Sequence, residues 1–183
     1  MSQKRQTKSK AYILQALTQL LQEKNWDKIS VSQICQKAGI NRGTFYLHYT
    51  DKYDLMEKIQ EEKSSLLLAI LQKEKASNQE LLERMLEAVK ADGDFLKVYI
   101  QHPELDFHSS FRLIVDRILD AIPQLEEQLK DRFQLPTPYA KAVFVASVQE
   151  MIAIWILSDF PQSSQDLASM ILEMGQLQEL HQA

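Results

Sequence analysis

Residues 30–49 carry two short apolar repeats separated by one glycine, and no other part of the chain narrows its fold as far. Ser30 and Gln33 form a capping-box pattern, in which the hydroxyl accepts a backbone N–H and the glutamine side chain reaches back, so a helix is predicted from Val31. Val31, Ile34, Cys35 and Ala38 then fall at i, i+3, i+4 and i+7 and share one buried face. Gly39 follows, where a left-handed backbone is cheap only for glycine, and Asn41 is placed to cap the next helix. In that helix Phe45 and Tyr49 point inward with Ile40, which leaves Arg42, Thr44, Tyr46 and His48 on or beside the outer surface. Two short helices, a glycine turn and an outward row of hydrogen-bonding groups make a helix-turn-helix of the DNA-reading kind.

Charge is distributed unevenly around this motif. The chain of 183 residues has a net charge of −4, yet residues 1–58 hold ten Lys/Arg against five Asp/Glu, and the remainder holds eleven against twenty. A basic first third suits a polyanion, and an acidic remainder is held away from phosphates. Residues 1–10, with Lys4, Arg5, Lys8 and Lys10, lack an apolar period and read as a mobile arm, either solvated or touching the duplex beside the bound helix.

The rest of the chain repeats with helical spacing and never alternates in strand fashion, so the expected fold class is all-α. Ile13, Ala16, Leu17 and Leu20 predict a first helix over residues 7–23, with Trp26 and Ile29 completing its core. Thr50 is read as the cap of a fourth helix, in which Leu55, Ile59, Leu66 and Ile70 form a stripe running to residue 75. Further helices are predicted over 81–91, 94–100, 109–119, 124–133, 139–158 and 164–180. Asp92-Gly93, Pro103, Pro123, Pro136 with Pro138, and Pro161 break them.

The motif residues resemble the N-terminal domain of the TetR/AcrR family, bacterial regulators related to the tetracycline repressor. The resemblance covers residues 7–58. Its most specific part is Gly43-Thr44-Phe45-Tyr46-Leu47-His48-Tyr49-Thr50-Asp51-Lys52, against a family pattern of Gly-Thr-hydrophobic-Tyr-x-His-Phe-x-x-Lys. Tyr49 stands where the family usually has Phe, and the C-terminal two-thirds matches no single pattern. The resemblance implies that Arg42 faces base edges, that Thr44, Tyr46, His48 and Lys52 contact phosphates, and that Ser32 and Gln33 also touch the DNA. Glycine inside a helix costs ~1 kcal/mol relative to alanine, and at Gly43 either close backbone approach to DNA or a frayed first turn accounts for it.

The implied architecture is a three-helix DNA-binding domain over residues 1–58 and a larger effector and dimerisation domain over 59–183, with about nine or ten helices. The expected function is regulation of transcription by a repressor that binds a palindromic operator in double-stranded DNA as a homodimer and is tuned by an unknown small-molecule effector. The alternatives are a helical partner-binding co-regulator whose helix-turn-helix no longer reads DNA, and a DNA-binding activator. A homodimer has a physical motive, since one recognition helix reads too few bases to select a genomic site. Ala142, Val145, Ala146, Ile152, Ala153 and Ile156, small and branched, allow the close helix approach of an intermolecular surface, with an entirely intramolecular bundle as the alternative.

Phe95, Tyr99, Phe111, Phe144, Met151 and Trp155 are bulky enough to line an effector cavity and equally able to fill a core. Glu150 interrupts the apolar run of residues 142–157, where an arginine, a dimer partner, a cationic ligand or plain exposure would satisfy it. That run falls short of the ~20 apolar residues of a membrane helix and reads as a buried helix, so no membrane partner is expected. No enzyme is expected: the four glycines form no phosphate-cradling loop, Cys35 lies on a buried face, and His102 and His108 lack a metal-ligand spacing. No cofactor and no metal are implied. One cysteine and no charged-plus-apolar leader point to a cytoplasmic protein.

Overall fold

The computed structural model describes residues 2–73, 76–120, 122 and 125–176, and their regular structure is entirely helical. In chain order the α-helices are α1 (Ser2–Glu23), α2 (Val31–Ala38), α3 (Arg42–Tyr46), α4 (Lys52–Lys73) and α5 (Asn78–Ala91). They continue with α6 (Gly93–Ile100), α7 (Phe107–Asp120), α8 (Leu125–Phe133), α9 (Thr137–Leu157) and α10 (Ser164–Gly175). Short 3₁₀ turns cover Trp26–Lys28 and Pro103–Leu105.

Three boundaries differ from those read in the sequence. The basic segment expected as an arm is the start of α1, because Lys, Arg and Gln extend a helix readily once its far end is anchored by packing. The cap of α4 is Asp51, not Thr50: its carboxylate accepts the Tyr53 and Asp54 N–H groups at 2.8 and 2.9 Å. Residue 176 leaves the helical region with φ 46°, so α10 ends at Gly175. The expected extensions to residues 75 and 180, and the break at Pro123, lie outside the described residues.

The chain gathers into two compact units, Met1–Lys63 with Asp94–Phe107, and Ser64–Gly93 with His108–Ala183. The first therefore takes in a stretch that the sequence reading assigned to the second domain, besides residues 59–63. Its core is Ile13, Leu17, Ile34, Phe45 and Leu55, all fully buried, with Leu20, Trp26, Ile29, Cys35 and Tyr49 around them. Residues 94–107 are fastened to this unit by polar bonds as well as packing. Gln60 donates to the Tyr99 hydroxyl at 2.6 Å, that hydroxyl donates to the Leu105 carbonyl at 3.2 Å, and the Trp26 N–H donates to Glu104 at 3.0 Å.

In the second unit α10 packs on α5 and α9 on α8. The inward residues are Leu81, Met85 and Leu86 of α5, Leu125 and Leu129 of α8, Phe144, Val148 and Trp155 of α9, and Leu167 and Ile171 of α10. Lys141 of α9 draws three carboxylates together, Asp120 at 2.9 Å, and Asp116 and Glu126 at 3.6 Å. By length and composition α9 could cross a membrane, with 21 residues and a mean hydropathy of 1.6, but half of its most apolar stretch is buried inside the protein.

Candidate nucleic-acid interface

The reading motif is built by local caps. Ser30 Oγ accepts the Gln33 N–H at 3.3 Å while Gln33 Oε1 accepts the Ser30 N–H at 3.0 Å, which starts α2 where the sequence places it. Gly39 takes the left-handed conformation with φ 66°, and its N–H closes on the Cys35 and Gln36 carbonyls. A side chain there would meet no atom but would strain the backbone. Asn41 then caps α3, its Oδ1 accepting the Thr44 N–H at 2.7 Å and the Thr44 hydroxyl at 3.0 Å.

α3 is regular only to Tyr46, yet the next turn keeps helical spacing, since the Tyr49 N–H donates to the Phe45 carbonyl at 3.0 Å. Phe45 and Tyr49 are consequently both buried, and the outer side carries exposed Arg42, Gly43 and Tyr46. Arg42 Nη2 donates to the Tyr46 hydroxyl at 3.1 Å, and the guanidinium lies 5.8 Å from that ring's centre. This bond raises the Arg42 pKa, so the pair presents a cation braced by an aromatic ring. Gly43 has a reason within the protein too: a Cβ would come 3.3 Å from Asn41 Oδ1, the atom that caps the helix.

The remaining expected contacts differ in how free their polar tips are. Ser32 is exposed, whereas Gln33 uses its amide oxygen in the capping box and Thr44 donates its hydroxyl to Asn41. Lys52 donates to the Trp26 carbonyl at 2.8 Å and lies 4.6 and 5.2 Å from the centres of the Trp26 and Tyr53 rings. A positive charge in the first turn of α4 lies at the unfavourable end of the helix dipole, and here it is balanced by a carbonyl and two π faces. His48 is half-buried, with Nε2 2.8 Å from Ser9 Oγ, and its own carbonyl accepts Lys58 Nζ at 3.0 Å. Burial first, then the charges of Lys10 and Lys58, hold its pKa below the ordinary histidine value. Sequence reasoning missed Ser9, Lys58 and Asp51, and only Asp51 had a local signal, its place one residue before the helix.

The aromatic candidates for an effector site are divided between the two units. Phe95 and Tyr99 belong to the first unit, where their rings stack 5.6 Å apart and Tyr99 meets Phe107 edge-on at 5.7 Å. Phe111, Phe144, Met151 and Trp155 belong to the second, with Phe144 and Trp155 buried and Phe111 and Met151 half-buried. Glu150 is exposed, so its charge is met by solvent. His102 bonds Glu104 and the Leu21 carbonyl, and His108 pairs with Gln149. Cys35 is buried, and burial pushes its thiol pKa up, away from a reactive thiolate.

The expected pairing surface on α9 needs correction. Val145, Ile152, Ala153 and Ile156 are buried inside their own unit, Ala142 is half-buried, and only Ala146 of the six is exposed. The open face runs instead through Tyr139, Val143, Ala146, Glu150, Ile154 and Leu157, spaced by three or four residues.

Comparison with known proteins agrees with this geometry. Residues 13–59 match the family model of bacterial regulatory proteins of the tetR family. The uncharacterized HTH-type transcriptional regulator YvdT of Bacillus subtilis (strain 168) is 47% identical over 49 residues, which cover 27% of this chain and 25% of that protein. That match therefore spans about a quarter of the relative's length and lies within a fraction of both chains. A TetR transcriptional regulator from Streptococcus agalactiae 2603V superposes with a TM-score of 0.63 at 23% identity, covering 94% of this chain and 96% of the other. FadR from Bacillus subtilis, solved in complex with stearoyl-CoA, gives 0.59 at 20% identity, covering 90% and 96%. These proteins are regulators of transcription, not enzymes. Residues 13–59 thus match the helix-turn-helix of the tetR family of bacterial regulatory proteins, and the course of the helices along most of the chain has the fold of regulators of that kind.

Proposed function

We propose that the protein binds a palindromic operator as a homodimer in the cytoplasm, represses the adjoining gene, and releases the DNA when a small molecule occupies the second unit. The observation that carries this reading is the open outer side of α3, where Arg42 and Tyr46 form an exposed cationic pair on the side away from buried Phe45. Arg42 is the base-reading group, because a guanidinium can bond two acceptors of a guanine at once. Thr44, Tyr46, His48 and Lys52 serve phosphates, Ser32 and Gln33 approach the backbone from α2, and Gly43 lets the α3 main chain come close.

The homodimer is supported by the open face of α9, where Tyr139 is 66% and Ile154 56% exposed, a costly arrangement for a monomer. The effector is proposed to be apolar. Leu67, Leu68, Ile70, Phe111, Ile114 and Met151, all in the second unit, are only half-buried. Phe144 and Trp155 are the deeper aromatic groups there. FadR, with its bound stearoyl-CoA, is a protein of this fold that takes an apolar chain.

A mobility-shift assay with DNA flanking the protein's own gene, with and without acyl thioesters, tests the reading. Saturable retardation that a ligand relieves is expected. Absence of retardation at low salt would leave a partner-binding module, and a reporter whose expression falls on deletion of the protein would replace repression by activation.

A further inference from the structure

The contact between α1 and the end of the recognition segment has a chemistry of its own. His48 meets Ser9 of α1 through Nε2 and Lys58 of α4 through its own carbonyl, and Tyr49 lies beside it with the ring centres 5.9 Å apart. The charged groups around it are Lys10, which pairs with Glu62, and Lys58, which pairs with Asp54 at 3.0 Å. The Tyr49 hydroxyl is pushed up to about 12 by burial, then by Glu62 and Asp54, and stays neutral. Ser9 is 7% exposed, and its hydroxyl is the group on Nε2.

A serine hydroxyl is suited to either charge state of the ring. It can donate to a bare Nε2 or accept from a protonated one, whereas a carbonyl could only accept and an ammonium only donate. In the free protein burial and the two lysines favour the neutral ring. A phosphate arriving at this edge supplies the opposite charge, which favours the imidazolium and gives it a second acceptor.

We propose that His48 takes up a proton from solvent when the helix-turn-helix docks on a phosphate, with Ser9 turning its hydroxyl to accept from Nε2, so that DNA affinity is linked to pH. The inference rests on the proposed DNA binding and adds Ser9 to it as a positioning residue. The sign follows from linkage. A group that binds its proton more tightly in the complex strengthens binding as pH falls from the complex's pKa towards the free protein's, which lies below the ordinary value of about 6.5. Within that window affinity changes by up to about tenfold per pH unit for each head docked.

Phosphate contacts carry no sequence information, so a mixed-sequence duplex at low salt is a sufficient probe. Calorimetric titration of the full chain with that duplex, in buffers of different ionisation enthalpy, counts the protons exchanged. Net uptake is expected for the wild type, near zero for His48→Gln, and a reduced uptake for Ser9→Ala, which retains the imidazole but loses its acceptor. Binding with no net uptake, or uptake undiminished in His48→Gln, would overturn the proposal while leaving DNA binding in place. Should His48→Gln fail to fold, undiminished uptake in Ser9→Ala would overturn it equally. Failure of the duplex to bind at any pH would instead remove the proposed function, and this inference with it.

Discussion

At the scale of single residues, the proposed DNA contacts divide into groups whose polar tips are open and groups whose tips also hold the fold. Arg42 is exposed and braced only by Tyr46, so Arg42→Ala should flatten the preference among operator variants, at about 1–3 kcal/mol for the base it faces. Competition mobility shifts across a set of operator substitutions check this. Lys52 joins a proposed phosphate contact to an observed bond with the Trp26 carbonyl. Lys52→Ala should weaken binding to all sequences and lower the salt slope by about one. It should also loosen the Trp26–Lys28 turn, whose carbonyl it holds, and so lower the melting temperature, an effect Arg42→Ala should lack. The outward set was readable from spacing, because Phe45 and Tyr49 fix which side of a short helix is buried. The partners of the polar tips were not. Lys52 meets a carbonyl 26 residues away and His48 a hydroxyl 39 residues away, and nothing in a local pattern encodes such pairings.

At the scale of elements, caps and wedges decide where helices stop. Ser30→Ala removes one half of a reciprocal cap and should cost about 1 kcal/mol of unfolding free energy, measured by urea titration. Gly93→Ala ought to help a helix by propensity, but the added Cβ would stand 2.5 Å from the tip of the Phe160 ring, itself held edge-on to Trp155 at 4.8 Å. Overpacking of this kind costs about 1–3 kcal/mol, and Phe160→Ala in the same chain should recover much of it. The 3₁₀ turn at Pro103–Leu105 adds a pH dependence. His102 and then the backbone bonds hold the Glu104 pKa below the usual carboxylate value, so its contribution is present above the unfolded value and is lost as pH falls through the folded one. Stability should therefore fall less steeply into acid in Glu104→Gln than in the wild type. Helix positions were legible because the apolar period is regular. The membership of residues 94–107 in the first unit was not, since it depends on bonds such as Glu104 to Trp26 across 78 residues.

At the scale of the molecule, the face of α9 left open is the point on which the proposed homodimer turns. Sequence alone left open which side of this helix meets the chain's own core, for a physical reason: α9 is apolar nearly all round, so no polar stripe marks which side meets that core and which meets something else. Burial resolves the two. Phe144, Val148 and Trp155 look inward, and Tyr139, Val143, Ile154 and Leu157 remain uncovered. If two copies pair through that face, Ile154→Lys places like charges on both sides of a two-fold contact while touching nothing in the folded monomer's core. The variant should keep the wild-type far-ultraviolet spectrum and unfold within about 0.5 kcal/mol of the wild type when both are monomeric, as exposed substitutions do. It should sediment as a monomer at concentrations where the wild type is a dimer. Its affinity for a palindrome should fall to that of a single head, because two heads held one turn of about 34 Å apart bind jointly and separated heads do not. A variant that remains dimeric and keeps full operator affinity would move the pairing surface elsewhere on the second unit.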